Sequence, residues 1–392
     1  MLSVFHPISC AALIGHVTVC VWVYNRLHAS GLPSRLVQRM EKWVALFTAV
    51  TSCLFVLWIA YQGPTWFNLQ SRGLAQWISL WTVICWLTLS IVGVAWAARQ
   101  WLHRVPARLL SNDTERLDLR TALGHRAIGD PSTARMAALP GNQVLDVRAH
   151  HKILLPRHLP RALDGLRIAQ VTDLHMMGHF TLEFYQAAID HVNAWNPDLI
   201  MITGDLVDHP DCIAWIPETL GRLRGPLGRF AILGNHDQRL PDVPKLRRAL
   251  TDCGIEDLGG RCVVRAIRDV PVLLAGNECP WFGPAPQITW DGRERPPFSI
   301  LMSHSPDQFP WARQQGFDLM LAGHTHGGQI RFPAIGPLIC PSRFGVWYAS
   351  GLFERTPTLM HVSRGLSGVH PLRFHCPPEL TLLELRCSGS RA

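Results

Sequence analysis

One stretch in the C-terminal half decides the interpretation of the chain. Residues 319–328 read LMLAGHTHGG, a short apolar run that ends in two histidines flanked by glycines. Two imidazoles on a tight glycine loop contribute little to packing, whereas imidazole nitrogens are common ligands of transition metals. The stretch therefore predicts a β-strand whose carboxyl end carries metal ligands.

Four earlier apolar runs end in the same way. Residues 167–171, 199–203, 230–233 and 298–302 lead into the polar sequences TDLH, GDLVD, GNHD and SH. Ligands of open α/β sheets bind just beyond the carboxyl ends of the strands, so these loops should converge. The five loops together supply seven candidate metal ligands, which are Asp173, His175, Asp205, Asn235, His304, His324 and His326.

The spacing of the remaining patterns predicts the fold class. Helical patterns at 181–196, 212–223 and 243–253 separate the early strands and indicate βαβ crossovers. Later apolar runs follow one another with few helices, which indicates a second sheet; they cover 272–275, 318–322, 358–362 and 380–385. We therefore expect a layered α/β domain of roughly 240 residues.

The number of candidate ligands bears on the kind of metal site. Each ligand taken alone has an ordinary explanation, since Asp205 could cap a helix and Asn235 could occupy a turn. One tetrahedral zinc takes at most four protein ligands, so seven are too many for a single ion. They suit two metals about 3.5–4 Å apart with one shared carboxylate.

These motifs resemble those of the calcineurin-like metallophosphoesterase superfamily, in its membrane-associated bacterial phosphodiesterase branch. The extended motif from Gly323 to Arg331 and the sequence Ser363-Arg364-Gly365 are similar to that branch. The resemblance covers about residues 144–386 and implies a four-layer α/β/β/α sandwich. It also implies a hydrolase that cleaves a phosphodiester or pyrophosphate by attack of a hydroxide bridging two divalent metals (Mn, Fe or Zn).

The resemblance also implies roles for single residues. Asp205 would bridge the two metals. Asp173, His175 and His326 would complete the first site, and Asn235, His304 and His324 the second. The catalytic residues would be His236, which would assist the leaving group, and Asp208, the carboxylate that would pair with it.

The N-terminal part is predicted to be an all-helical transmembrane anchor over residues 1–98. Residues 43–61 and 77–98 carry no charge, and either run could cross a hydrocarbon core of ~30 Å as a helix. Residues 8–24 are a shorter candidate that contains His16. Residues 99–145 are interpreted as a juxtamembrane linker, and 146–392 as the catalytic domain.

Basic residues predict the topology. Four Lys or Arg lie between the first two segments, and Arg99, Arg104 and Arg108 follow the third. The positive-inside rule then places the catalytic domain in the cytoplasm, here of a bacterial inner membrane. The 11 cysteines include no Cys-x-x-Cys pair, which favours free thiols in that compartment.

The charge distribution limits the substrate class. Residues 151–392 carry 24 Lys+Arg and 23 Asp+Glu, so the domain is nearly neutral although the chain is +8 overall. Nucleic acid is therefore not expected as a partner, and a nuclease or a non-catalytic metal-binding scaffold are lesser alternatives. Membrane attachment favours a lipid-linked substrate, and a UDP-2,3-diacylglucosamine-type pyrophosphate hydrolase of lipid A synthesis is a specific alternative.

Overall fold

The computed structural model describes residues 6–32, 34–102, 106–289 and 296–388. The chain divides into two units, Met1–Arg104 and Val105–Ala392. The first contains the predicted apolar segments, and the second contains every predicted metal ligand.

The N-terminal unit consists of three long helices, α1 (Pro7–His28), α2 (Ser34–Gln62) and α3 (Leu74–Leu102). All three are long and apolar enough to cross a membrane, which supports membrane association. The polar His16 of α1 is satisfied inside the helix group: its Nε2 lies 2.9 Å from Thr51 Oγ1, and Trp81 donates to its Nδ1. Because this imidazole has internal partners, its presence is compatible with a spanning helix.

The second unit is built on two β-sheets. The larger has seven strands in the order β1-β2-β15-β3-β4-β5-β6. Its strands are β1 (Leu109–Asp118), β2 (Asp146–Leu154), β3 (Leu166–Val171), β4 (Leu199–Thr203), β5 (Gly228–Ile232), β6 (Glu256–Asp257) and β15 (Glu379–Leu385). β3 to β6 run parallel, as the crossover pattern predicts, whereas β15 pairs antiparallel with β3.

The second sheet has six strands in the order β13-β14-β10-β9-β8-β7. Its strands are β7 (Cys262–Ile267), β8 (Val270–Asn277), β9 (Phe298–Ser303), β10 (Leu319–Ala322), β13 (Gly351–Arg355) and β14 (Thr358–Val362). A separate hairpin joins β11 (Arg331–Phe332) to β12 (Gly336–Pro337). The prediction of a second sheet in the later half is confirmed.

Helices cover the outer faces of both sheets. α6 (Leu182–Ala194) and α7 (Val243–Asp252) pack on the larger sheet, and α8 (Phe309–Gln314) packs on the smaller one. β4 shows the layering residue by residue: Ile200 and Ile202 join the core beneath the helices, while Leu199 and Met201 join the core between the sheets. Both faces are therefore buried, and the predicted four-layer α/β/β/α arrangement is confirmed.

The structure corrects the interpretation of residues 99–145 as a linker. α3 continues to Leu102, and β1 is an edge strand that pairs antiparallel with β2. Two short helices, α4 (Leu119–Leu123) and α5 (Pro131–Ala137), follow β1. The sequence hides this strand because an exposed edge strand needs little apolar alternation, and β1 reads LLSNDTERLD. Residues 109–145 therefore belong to the second compact unit, which starts at Val105.

A second correction concerns the helix predicted at 212–223. The structure has two short 3₁₀ segments there, Pro210–Trp215 and Leu220–Arg222. Pro217 lies between them, and a proline inside an α-helix removes a hydrogen bond and clashes with the preceding turn.

Candidate metal centre

Five strands deliver the predicted ligands to one place. Asp173 and His175 follow β3, Asp205 follows β4 and Asn235 follows β5, all in the larger sheet. The smaller sheet supplies His304 after β9 and then His324 and His326 after β10. The centre therefore lies where the carboxyl edges of the two sheets meet.

The backbone at these positions is strained. Positive φ angles occur at five of the seven candidate ligands, which are Asp173, His175, Asp205, His324 and His326. Residues other than glycine rarely adopt this conformation, and it persists only where the surrounding structure enforces it, commonly at functional sites. The positive φ angles therefore indicate that the loops are held in the conformation that orients the candidate ligand side chains.

Glycines let the ligand loops approach one another. A Cβ on Gly234 would lie 2.2 Å from Asp205 Oδ1, and one on Gly323 would lie 2.3 Å from Asp173 Oδ2. Both contacts are far inside van der Waals distance, so any side chain would push the carboxylates away. This is why the Gly-Asn and Gly-His motifs begin with glycine.

One group of side chains matches the predicted first site. Asp173, His175, Asp205 and His326 offer ligand atoms that all lie within 4.8 Å of one another. The Nε2 atoms of His175 and His326 are 3.2 Å apart, and His175 Nε2 is 3.6 Å from Asp205 Oδ2. The nitrogens and carboxylate oxygens converge on a common volume.

A second group shares Asp205 with the first. Asp205, His304 and His324 also offer atoms within 4.8 Å, and His304 Nε2 lies 3.1 Å from Asp205 Oδ2. The Nδ1 atom of His304 contacts the Thr203 carbonyl at 2.7 Å. Donation to that carbonyl leaves Nε2 with the lone pair that a metal needs.

The donor set fits divalent cations. The Asn235 Oδ1 atom is buried and has no hydrogen-bond partner among the described residues, as expected for an atom that would ligate a metal. Burial, with the neighbouring carboxylate of Asp205, raises the pKa of Asp173. Two buried carboxylates side by side call for compensating positive charge.

Asp208 and His236 lie at the edge of the first group. The Oδ2 atom of Asp208 is 3.1 Å from Nδ1 of His236 and also 3.1 Å from Nδ1 of His175. Burial alone would raise the pKa of Asp208, but His236 and His175 hold it well below its usual range. The Asp208 carboxylate thus orients His175, a candidate ligand, and His236, the candidate proton donor. The sequence predicted only the pairing with His236.

Several residues at the centre were missed by the sequence interpretation. Asp237 is fully buried and accepts hydrogen bonds from the backbone of Leu206, Val207 and Gly234, so it ties two ligand loops together. The Trp281 ring packs against the His304 and His324 rings with centroids 5.6 and 4.9 Å away.

Two arginines also belong to the surroundings of the centre. Arg239 places Nη1 3.1 Å from His236 Nδ1. Arg373 is fully buried and donates to the His326 carbonyl at 2.8 Å. Arg239 lies three residues beyond His236, and this helix-like spacing could have predicted that the two side chains are neighbours. No pattern in the sequence predicts the position of Arg373.

A buried polar network lies between the sheets, behind the ligand loops. Lys152 Nζ is 2.6 Å from Glu379 Oε1 and 2.7 Å from His361 Nε2. Arg364, of the Ser363-Arg364-Gly365 motif, donates to Glu379 Oε2 at 2.8 Å. A Cβ on Gly365 would lie 2.4 Å from Asp173 Cβ, so the motif packs directly against a candidate ligand.

Comparison with known proteins agrees with this geometry. Residues 166–328 match the family model of the calcineurin-like phosphoesterases. The uncharacterized metallophosphoesterase YkuE of Bacillus subtilis is 34% identical over 59% of this chain and 82% of its own length. Phosphodiesterase YaeI of Escherichia coli is 30% identical, covering 56% and 82%. The UDP-2,3-diacylglucosamine pyrophosphatase LpxG of Chlamydia muridarum is 27% identical, covering 57% and 84%.

Proposed function

Since the chain belongs to the calcineurin-like phosphoesterase family and is a metal-dependent phosphoester hydrolase, we propose that it cleaves a phosphodiester or pyrophosphate at a two-metal centre. The observation that carries the proposal is the sharing of Asp205 between two groups of candidate metal-ligand side chains. A carboxylate with an oxygen in reach of both groups is what two closely spaced cations require.

The protein residues have separable roles in this reaction. Asp173, His175 and His326 would hold one cation, and Asn235, His304 and His324 the other. Two divalent cations supply an acidified water and positive charge beside the phosphoryl oxygens. The donors are held by the strained loops, so the site is preorganised before substrate arrives.

His236 would act on the leaving group. Its Nδ1 contacts Asp208 at 3.1 Å, which leaves Nε2 as the ring nitrogen that can carry a proton to an oxygen of the substrate. Asp208 orients the ring through this contact. Arg239 adds a positive charge on the same side and would attract the phosphoryl group.

Membrane association favours a substrate that resides in the membrane. Three helices of the chain are long and apolar enough to span a bilayer, and the Lys/Arg distribution supports a cytoplasmic catalytic unit at a bacterial inner membrane. A phosphodiester or pyrophosphate attached to a lipid would meet the centre at the membrane surface.

The relative LpxG favours one specific substrate as a second candidate. That protein is named for pyrophosphatase activity on UDP-2,3-diacylglucosamine, and 84% of its length aligns with this chain. A nucleotide-linked lipid pyrophosphate is therefore the first compound to test. The nearly neutral balance of residues 151–392 is unfavourable for a nuclease, and the full ligand set is unfavourable for an inactive scaffold.

The experiment is a side-by-side assay of the full chain after reconstitution with Mn, Fe or Zn. Substrates are a nucleotide-lipid diphosphate, a simple phosphodiester and a phosphomonoester. We expect hydrolysis of the diphosphate or the diester, and its loss in Asp205→Ala. Activity that is equal in wild type and Asp205→Ala, or confined to monoesters, would contradict the proposal.

A further inference from the structure

Exposed apolar side chains of the catalytic unit are concentrated in one segment. Among the described residues of this unit, the exposed large apolar residues are Leu110, Leu139 and six within residues 330–344. The six are each between 39% and 48% exposed and comprise Ile330, Phe332, Ile335, Leu338, Ile339 and Phe344. We name residues 330–344, which include β11 and β12, the apolar hairpin.

The apolar hairpin is attached to the loop that carries His326. A Cβ on Gly328 would lie 2.3 Å from Pro337 Cβ, so the hairpin packs directly on this loop. Arg331 Nε donates to the Gly327 carbonyl at 2.9 Å, and the Arg331 amide donates to the Phe374 carbonyl at 2.9 Å. The patch is therefore held in place beside the metal centre.

The charge of the segment points to one kind of surface. The sequence contains no Asp or Glu between Asp318 and Glu354, whereas Arg331 and Arg343 lie within the apolar hairpin. Arg343 is exposed, and its Nη2 donates to the Asp307 carbonyl at 2.6 Å. Apolar and aromatic residues mixed with arginine, without acids, are typical of surfaces that enter the boundary between acyl chains and anionic headgroups.

The same chemistry is unfavourable for self-association. A symmetric contact between two copies would bring the same basic, acid-free segment against itself. Anionic lipid provides both the apolar phase and the opposite charge. The chain also contains three helices long and apolar enough to span a bilayer, which supports association with a lipid surface.

We propose that the apolar hairpin, which packs on the loop carrying His326, docks on the anionic lipid surface of the membrane. A patch of this kind marks an interaction site in soluble proteins generally. Docking would place the His326 loop at the level where the headgroup of a membrane-resident compound lies. The inference concerns a surface contact and stands whether or not the proposed hydrolysis is correct.

The test uses the full chain in nanodiscs of phosphatidylcholine and phosphatidylglycerol, with and without a lipid that carries a shallow doxyl quencher. A fluorescent amino acid replaces Ile335 in one sample and Leu139, an exposed apolar control in the same unit, in another. We expect strong quenching at residue 335 and little at residue 139. Equal quenching at both positions, or none at 335, would overturn the proposal.

A second variant checks that apolar contact causes the quenching. Phe332→Asp with Ile339→Asp adds charge to the hairpin, and the fluorophore at 335 should then lose its quenching while the circular dichroism spectrum stays unchanged. Retained quenching would overturn the docking role. A blue shift that depends on protein concentration in detergent, without quenching in nanodiscs, would instead identify a second copy on this face and also overturn the proposal.

Discussion

The guanidinium of Arg373 holds the backbone of His326 from a position 47 residues further along the chain. It donates to the His326 carbonyl and also to the carbonyls of Arg364 and Ser367. Burial lowers the pKa of this arginine, and the group is fully enclosed. A buried cation whose hydrogen bonds go to backbone carbonyls is a structural brace for the last ligand loop.

Removal of this brace should disturb the metal centre. In Arg373→Met the carbonyls of Arg364 and Ser367 lose this donor, as does the His326 carbonyl, and each buried carbonyl left unpaired costs about 1–3 kcal/mol. We expect a lower denaturation midpoint and less bound metal, measured by thermal unfolding and elemental analysis. Arg373→Lys should recover part of both, and a Met variant equal to wild type in both would remove the bracing role.

The shared carboxylate predicts unequal losses of metal. Asp205→Ala removes a ligand from both groups, whereas His304→Ala removes one from the second group alone. We expect the Asp205 variant to lose both metals and the His304 variant to keep the first, measured as metal per chain after reconstitution. Two metals retained in Asp205→Ala would refute the bridging assignment.

The proposed proton donor predicts a dependence on the leaving group. His236→Ala should keep fold and metal, while turnover falls on the order of 10²–10⁴-fold for poor leaving groups. The loss should shrink for a nitrophenyl ester, whose leaving group hardly needs a proton. Asp208→Asn is the informative comparison, because Asp208 contacts both His175 and His236 and should also weaken metal binding. A uniform loss across leaving groups, with metal gone, would argue that His236 is a ligand.

The buried network around Glu379 contains no candidate metal ligand, yet a substitution in it should lower the free energy of unfolding substantially. Lys152→Met removes the closest cation from the buried Glu379 carboxylate and leaves the ion pair with Arg364. The cost should be about 3–5 kcal/mol, the usual result of breaking a buried ion pair from one side. Arg157→Met, which removes an exposed ion pair with Glu354, is the matched control and should cost under about 1 kcal/mol. Similar denaturation midpoints for the two variants would contradict this account.

The Lys/Arg asymmetry predicts the topology. A reporter fused after residue 392 should behave as a cytoplasmic protein, because basic residues lie between the first two apolar segments and follow the third. Reporter activity in intact bacteria measures the outcome directly. A periplasmic signal would reverse the orientation and place the seven cysteines of the catalytic unit in an oxidising compartment.

Local patterns in the sequence were sufficient to predict the features that depend on residues adjacent in the chain. A strand and the polar loop that follows it are adjacent in the chain, so LMLAGHTHGG and four similar stretches predicted the strand ends and the candidate ligands at residues 173–326. The three apolar helices followed from the length of uncharged runs. The second sheet was predicted from later apolar runs that have few helices between them.

Only the tertiary structure decided the contacts between distant segments. β1 is polar because it is an edge strand, so its sequence resembles a linker until its pairing with β2 is seen. Arg373, Asp237 and the position of Trp281 over two histidines depend on how separate loops meet. The exposure of the apolar hairpin is likewise invisible in a sequence where the same residues could form core. A linear pattern reports which residues follow a strand, but burial and long-range hydrogen bonds are properties of the packed chain.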